Sequence, residues 1–350
     1  TKPTQHSVMT LREIGLEPDI LVCRTEHNHH LTDKLKKKLA LFCNVENNHV
    51  FESPDVDTIY EIPLVLYNQD FDKTVIDRLE ITNNRKHTKI NYLTDAINTY
   101  KSPKHAVTIA MCGKYNSLHD AYKSILEAFI HAGIFNDSKI NIKWIDTELL
   151  EKNMDFKNSF DKVDGILIPG GFGDRGIEGK IMSAKYAREN KIPFLGICLG
   201  MQCAVIEFAR NICNMKNANS TEFNKETPYP VIDLMISQQN IKDKGATMRL
   251  GQYSCELSKD THAYNAYNID NIDERHRHRY EFNNQYRDQL KESGLCISGI
   301  NKKLDLVEII ENKDHPWFVG VQFHPELKSR IVQVHPLFKD FIAATIKYQS

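Results

Sequence analysis

From residue 107 to residue 212 the sequence alternates short, unbroken apolar runs with amphipathic stretches, and this rhythm constrains the fold more than any other feature. Residues 107–112, 165–169 and 192–197 have the length and apolar content of strands buried on both faces. Ile140, Ile142 and Trp144 alternate as in a strand. Between these runs, residues 119–132 place Tyr122, Ile125, Leu126, Phe129 and Ile130 on one helical stripe, and residues 177–187 and 200–212 also read as helices. The pattern predicts an α/β domain with a mainly parallel sheet and helices on both faces, whose ligands bind beyond the carboxyl ends of the strands. Glycine marks those ends: eight of the 16 glycines lie between Gly165 and Gly200.

Residues 1–100 read as a separate, shorter α/β piece. A helix over residues 5–14 stops at Gly15, a buried strand covers residues 19–24, and residues 55–67 and 71–79 are helical candidates. Glu26-His-Asn-His-His30 has no cysteine or fixed histidine spacing beside it, so it reads as a polar loop and no metal site is expected. Residues 83–89 are polar, and Lys101-Ser-Pro-Lys-His105 breaks the chain, giving a first unit at 1–100, a linker at 101–106 and a second domain at 107–350. Lys+Arg at 45 against Asp+Glu at 46 offers no basic excess for nucleic acid or an anionic membrane, and no apolar run approaches a bilayer span. The opening Thr1-Lys-Pro-Thr-Gln-His, with the first methionine at Met9, is no secretory signal and reads as the interior of a longer protein. Eight scattered cysteines without a CxxC pair suggest reduced thiols in a cytoplasmic protein, seven of them small core residues. Cys198 is the exception.

Gly196-Ile-Cys198-Leu-Gly200 joins a buried strand to a helix, the elbow arrangement that presents a nucleophile at a sheet edge. The helix N-terminus favours a thiolate there. A thiolate needs a base and the base an orienting group. His324-Pro-Glu326 ends a predicted strand over residues 317–323, where residues two apart face the same side, so Glu326 can hold the His324 ring. Pro169-Gly170-Gly171-Phe172-Gly173, after another buried strand, offers backbone N–H groups for an oxyanion hole, with the Leu199 N–H as a second donor, and a turn alone does not explain Gly176 and Gly179 beside them. Cysteine, histidine, glutamate and such a hole imply acyl transfer through a thioester, as in small-molecule amide hydrolysis, peptide hydrolysis or a glutaminase.

Pro169-Gly-Gly, Gly196-Ile-Cys-Leu-Gly-Met-Gln202 and His324-Pro-Glu resemble the class I (triad) glutamine amidotransferases, whose core is flavodoxin-like. Longer strings narrow the resemblance to the CTP synthase family: Gly113-Lys-Tyr, Asp120-Ala-Tyr-Lys-Ser, Gly171-Phe-Gly-Asp-Arg-Gly-Ile-Glu-Gly179, Asn217-Ala-Asn-Ser-Thr-Glu-Phe223, Thr247-Met-Arg-Leu-Gly251 and Glu274-Arg-His-Arg-His-Arg-Tyr-Glu281. The resemblance implies Cys198 as nucleophile, His324 as base and Glu326 as its partner. It places Gly171, Leu199, Gly200, Met201, Gln202, Glu222 and Arg279 in a glutamine pocket, with Glu222 on the substrate's α-ammonium group. It assigns Thr1, Lys2, Pro3, Thr4, Gln5 and Lys38 to UTP/CTP, Val56 to ATP, and Arg175 to sensing the allosteric activator GTP. The first unit would be the end of an amidoligase domain, in which ATP activates UTP for amination by ammonia from glutamine.

Against that pattern, the family's ATP phosphate-binding loop and magnesium carboxylates would lie before Thr1, Ala246 replaces a usual glycine, and Cys112 replaces a usual valine. The chain is thus expected to carry the glutaminase half, with ATP and Mg2+ belonging to a complete homo-oligomeric, tetrameric enzyme. It should hydrolyse glutamine but not make CTP alone. The alternatives are a non-catalytic subunit scaffolding a separate synthetase chain and a free-standing cysteine amidohydrolase.

Overall fold

A computed structural model describes residues 1–26, 29–82, 90–114, 119–152, 156–234 and 248–350. Ala246, the polar run 83–89, and His27, Asn28, Tyr115 and Thr247 of the motifs above lie outside the described residues. The chain divides into two compact units, Thr1–Lys101 and Ser102–Ser350.

The first unit comprises α1 (Lys2–Glu13), β1 (Leu21–Thr25), α2 (Asp33–Cys43), β2 (Val50–Pro54), α3 (Ile62–Tyr67), α4 (Phe71–Arg78) and α5 (Ile90–Lys101). Pro3 in the first turn starts α1, and Gly15, at φ 84°, follows its end. β1 and β2 pair in parallel from Leu21 on Val50 to Thr25 on Pro54, around a small core of Val8, Leu21, Cys23, Leu39, Ala40, Cys43 and Val50. The expected helix at 55–67 is shorter, because the chain leaves β2 through a bend and a single 3-10 turn at Ile59–Glu61 before α3 begins.

The second unit runs β3 (His105–Gly113), α6 (Lys123–Phe135), β4 (Ser138–Asp146), α7 (Thr147–Lys152), α8 (Phe156–Ser159), β5 (Gly165–Ile168), α9 (Ile177–Glu189), β6 (Phe194–Ile197), α10 (Leu199–Asn211), β7 (Asn219–Ser220), β8 (Pro230–Leu234), β9 (Arg249–Leu257), α11 (His262–Tyr267), β10 (Asn271–His278), β11 (Tyr280–Phe282), α12 (Arg287–Glu292), β12 (Leu295–Asn301), β13 (Leu306–Asn312), β14 (Phe318–Val321) and α13 (Pro336–Gln349). Nine strands form one sheet in the order β10-β9-β12-β13-β14-β6-β5-β3-β4. The five from β14 to β4 are parallel, as the alternation predicted, and the other four are antiparallel. Lys101 closes α5, and His105 and Ala106 already pair with Ser138 and Lys139, so only Ser102–Lys104 connects the elements.

Side-chain alternation puts a core on each face of the parallel half. Ile166, Ile168 and Phe194 meet Ile181, Ala184, Ala204 and Val205 of α9 and α10. Leu167, Leu195 and Ile197 belong to the core that holds Phe129 of α6 and Phe338 and Phe341 of α13. Across β6 and β14, Phe194 and Phe318 stack with ring centres 4.2 Å apart, at the first rung of that pairing. This packing fixes the two strand ends that carry the site.

Candidate active site

Cys198 directly follows β6 and caps α10, with φ 51° and ψ −101°. That is positive-φ backbone outside the relaxed left-handed region, which a non-glycine residue holds only under surrounding constraint. The constraint is visible: the Cys198 N–H donates to Val321 O at 2.7 Å, and the Gln202 N–H donates to Cys198 O at 3.2 Å. A Cβ on Gly200 would lie 2.2 Å from Ile168 O, so only glycine lets α10 pass this close to β5. The sulfur is thereby placed at the N-terminus of a 13-residue helix.

His324 and Glu326 are joined by a hydrogen bond of 2.7 Å from Nδ1 to Oε1. Their proximity has a different origin from the one expected. The strand ends at Val321, and Pro325–Leu327 form a 3-10 turn, with the Leu327 N–H donating to His324 O at 3.2 Å. Pro325 favours that turn by fixing its own φ, so the turn, and not strand alternation, brings the carboxylate to the ring. Nε2 is buried and makes no hydrogen bond, and His324 and Cys198 line the same cavity. Burial opposes charge on His324, but its interactions with Cys198 and then Glu326 outweigh burial and raise its pKa to about 10.

Two further histidines lie close by and behave in the opposite way. His276 and His278, on alternate inward positions of β10, are pushed down to about 2 and about 3, first by burial and then by neighbouring positive charge. Their rings bond one another at 3.1 Å, and His278 Nδ1 faces Tyr280 O at 3.2 Å. The run from Arg275 to His278 is therefore part of an edge strand with Arg275 and Arg277 outward and neutral histidines inward, Arg279 follows the strand end, and no metal-binding group exists among the described residues. Of these three histidines, only His324 has its pKa raised.

Gly170 shows how tightly the pair is set: a Cβ there would lie 2.8 Å from His324 Cε1 and 3.5 Å from Cys198 Cβ. The glycine cluster after β5 has two separate duties. Gly170 and Gly171 border Cys198, whereas a Cβ on Gly179 would strike Thr147 O at 2.1 Å, so that glycine seats α9 on α7. A cavity of about 410 Å3 is lined by Tyr122, Gly171, Phe172, Cys198, Arg277, His324 and Glu326, among others. A second, of about 20 Å3, is bounded by Gly171, Phe172, Cys198, Gln202, Glu222, His278, Arg279 and Tyr280. Glu222 accepts the Gly173 N–H at 3.3 Å, and burial raises its pKa despite that bond and the nearby Arg279 and Lys114 cations.

Of the expected pocket residues, Gly171, Gln202, Glu222 and Arg279 thus gather at Cys198. Leu199, Gly200 and Met201 line neither cavity, and Leu199 and Met201 are buried in the core. In the first unit, Lys2, Pro3, Thr4 and Gln5 start α1, Thr4 lies against Cys23 of β1, and Gln5 Nε2 is buried without a partner. Lys38 is exposed on α2, Val56 is half-buried just after β2, and Arg175 pairs with Glu148 at 3.4 Å. Sequence reasoning did not single out Phe172, which borders both cavities, or Gln322, whose Nε2 donates to Cys198 Sγ at 3.7 Å. Gln322 stands two residues before His324, the same spacing argument that was applied to Glu326.

Fold and site together place a cysteine, a histidine and a carboxylate at the carboxyl edge of an α/β sheet, the arrangement that a cysteine acyl-transfer centre requires. The family model described as glutamine amidotransferase class-I matches residues 117–344, and that of the CTP synthase N-terminus matches residues 1–81. CTP synthases of Clostridium kluyveri and Syntrophus aciditrophicus are 54% and 51% identical over 99% and 100% of this chain. The chain spans 64% of the length of each of these relatives. The glutaminase domain of a CTPS from Trypanosoma brucei, solved with bound acivicin, is 39% identical with a TM-score of 0.65, covering 69% of this chain and 94% of that one. The chain belongs to the CTP synthase family.

Proposed function

We propose that this chain is the glutamine-hydrolysing portion of a CTP synthase, and that Cys198, His324 and Glu326 perform the hydrolysis. The observation that carries the reading is a strained cysteine that shares a cavity with a histidine bonded to a carboxylate at 2.7 Å. Cys198 Sγ attacks the side-chain amide carbon of glutamine, and the Gly171 and Leu199 N–H groups receive the oxyanion. The C–N bond breaks as His324 Nε2 gives its proton to the leaving amine, releasing ammonia and a thioester. Water then attacks the thioester, His324 takes its proton, and the C–S bond breaks to release glutamate and restore Cys198. Glu222 meets the α-ammonium group, whose charge offsets the burial that now raises the Glu222 pKa, and Arg279 meets the α-carboxylate.

In the complete enzyme the ammonia would aminate UTP activated by ATP and Mg2+, in a cytoplasmic homo-tetramer activated by GTP near Arg175. In this chain Thr1 to Gln5 and Lys38 would face UTP or CTP, and Val56 the adenine of ATP. The partnerless Gln5 amide suits an oxygen of such a nucleotide. Among the described residues no helix is long and apolar enough to cross a membrane.

The test is ammonia release from glutamine by this chain and its Cys198→Ala variant. Release should fall to background in the variant, and acivicin should block Cys198 in the unsubstituted chain. Equal release from both proteins overturns the triad assignment. CTP formation from UTP, ATP and glutamine by the 350-residue chain alone would overturn its restriction to the glutaminase half.

A further inference from the structure

Behind the nucleophile lies a chain of side-chain amides whose orientation is determined from one end. Tyr280 O is a backbone carbonyl and can only accept, so the Gln202 group bonded to it at 3.0 Å is the NH2. The same NH2 donates to Gln322 Oε1 at 3.2 Å. With its oxygen so engaged, Gln322 must turn its own NH2 the other way, and there it meets Cys198 Sγ at 3.7 Å. Both glutamines are almost fully buried, Gln322 completely so, and the Gln322 N–H is fixed to Glu308 O at 2.8 Å. Reversing Gln202 would set its oxygen against the Tyr280 and Gln322 oxygens, and reversing Gln322 would set its NH2 against that of Gln202.

We propose that Gln322 is a catalytic residue of this site, donating a hydrogen bond to the Cys198 sulfur that favours its anionic form and aims it, and that Gln202 is the positioning residue that keeps Gln322 in the donating orientation. The proposal rests on the reading of Cys198 as nucleophile. A sulfur anion is a better acceptor than a thiol, so a fixed N–H donor lowers the cost of losing the proton, and a donor at the side of the sulfur restricts where the lone pair points. His324 then provides the counter-charge and the proton for the leaving group, while Gln322 supplies a neutral donor that remains in place after His324 has given its proton away. The resemblance placed Gln202 among residues that contact glutamine; here its NH2 is committed to the protein.

The experiment is alkylation of Cys198 by iodoacetamide as a function of pH, followed by mass spectrometry of the Cys198 peptide so that Cys213 and Cys296, the partly exposed thiols, do not contribute. In Gln322→Met the alkylation inflection should move upward by about one pH unit, and kcat/KM for glutamine at pH 7 should fall about tenfold. Gln202→Met should move the inflection in the same direction by less. An inflection unchanged in a folded Gln322→Met protein overturns the proposal. Should that variant lack a native circular dichroism spectrum, Gln202→Met decides, and an unchanged inflection there overturns it equally. Alkylation does not require glutamine, so a chain whose ammonia release ignores Cys198→Ala would refute the glutaminase reading separately.

Discussion

Cys198 holds φ 51° and ψ −101° because its neighbours over-determine it, and such backbone stores about 1–3 kcal/mol of strain. Glycine would relieve this strain and alanine would not. At an ordinary site glycine is the less stable of the two by about 0.5–1 kcal/mol, through backbone entropy. At position 198 the order should invert, with Cys198→Gly more stable than Cys198→Ala by about 1 kcal/mol in urea denaturation. Alanine proving the more stable would mean that the elbow is relaxed. The elbow at this position was legible from Gly196 and Gly200, because a Cβ at either would strike neighbouring backbone. The strain was not, since φ and ψ follow from where β14 and α10 anchor the peptide on either side.

At the scale of elements, the parallel strands announced themselves through continuous apolar runs. The antiparallel half did not. β9 mixes polar and apolar residues without strict alternation, and the inward members of β10 are Ile272, Glu274, His276 and His278, so a hydrophobicity pattern sees only one buried apolar residue in β10. Glu274 Oε1 is held from near and far in the sequence, by the Tyr267 hydroxyl of α11 at 2.9 Å and by His335 Nε2 before α13 at 3.2 Å. The glycine-rich loop was legible as a site but not in its division of labour, because Gly179 answers to Thr147, more than thirty residues earlier. Close passage of α10 over β5 gives the test at this scale. Gly200→Ala puts a methyl 2.2 Å from Ile168 O, and since both partners are backbone the helix itself must shift. A loss of about 1–3 kcal/mol in unfolding free energy is expected, with glutaminase activity falling as Cys198 moves with its helix. Unchanged stability and activity would show that the two elements are not in contact.

Across the whole second unit, His315 ties the end of α9 to the approach of β14. Its Nδ1 accepts the Trp317 N–H at 3.1 Å and its Nε2 faces Ala187 O at 3.1 Å, an arrangement only the neutral ring satisfies. Burial, outweighing its bond to Ala187, lowers its pKa to about 4. Below pH 6.5 the unfolded chain takes up a proton here that the folded chain refuses until about pH 4, so this stability is present above 6.5 and drains away as pH falls through that window. By pH 5 the loss from this residue should be about 2 kcal/mol, and His315→Gln should flatten that part of the stability–pH curve. A variant with the slope of the original protein would remove His315 from the account. The strand this histidine leads into pairs in parallel with β6 on one side and antiparallel with β13 on the other. Cys198 follows the Ile197–Val321 rung and bonds to Val321 O, and His324 stands three residues past that same rung. The gap between nucleophile and base is therefore counted in rungs, not adjusted as a length. Slipping one strand by a residue would move the base by about 3.3 Å and turn it to the opposite face. Substitutions can retune such a site by degrees, whereas an insertion or deletion between Phe194 and Cys198, or between Phe318 and His324, switches it off in a single step.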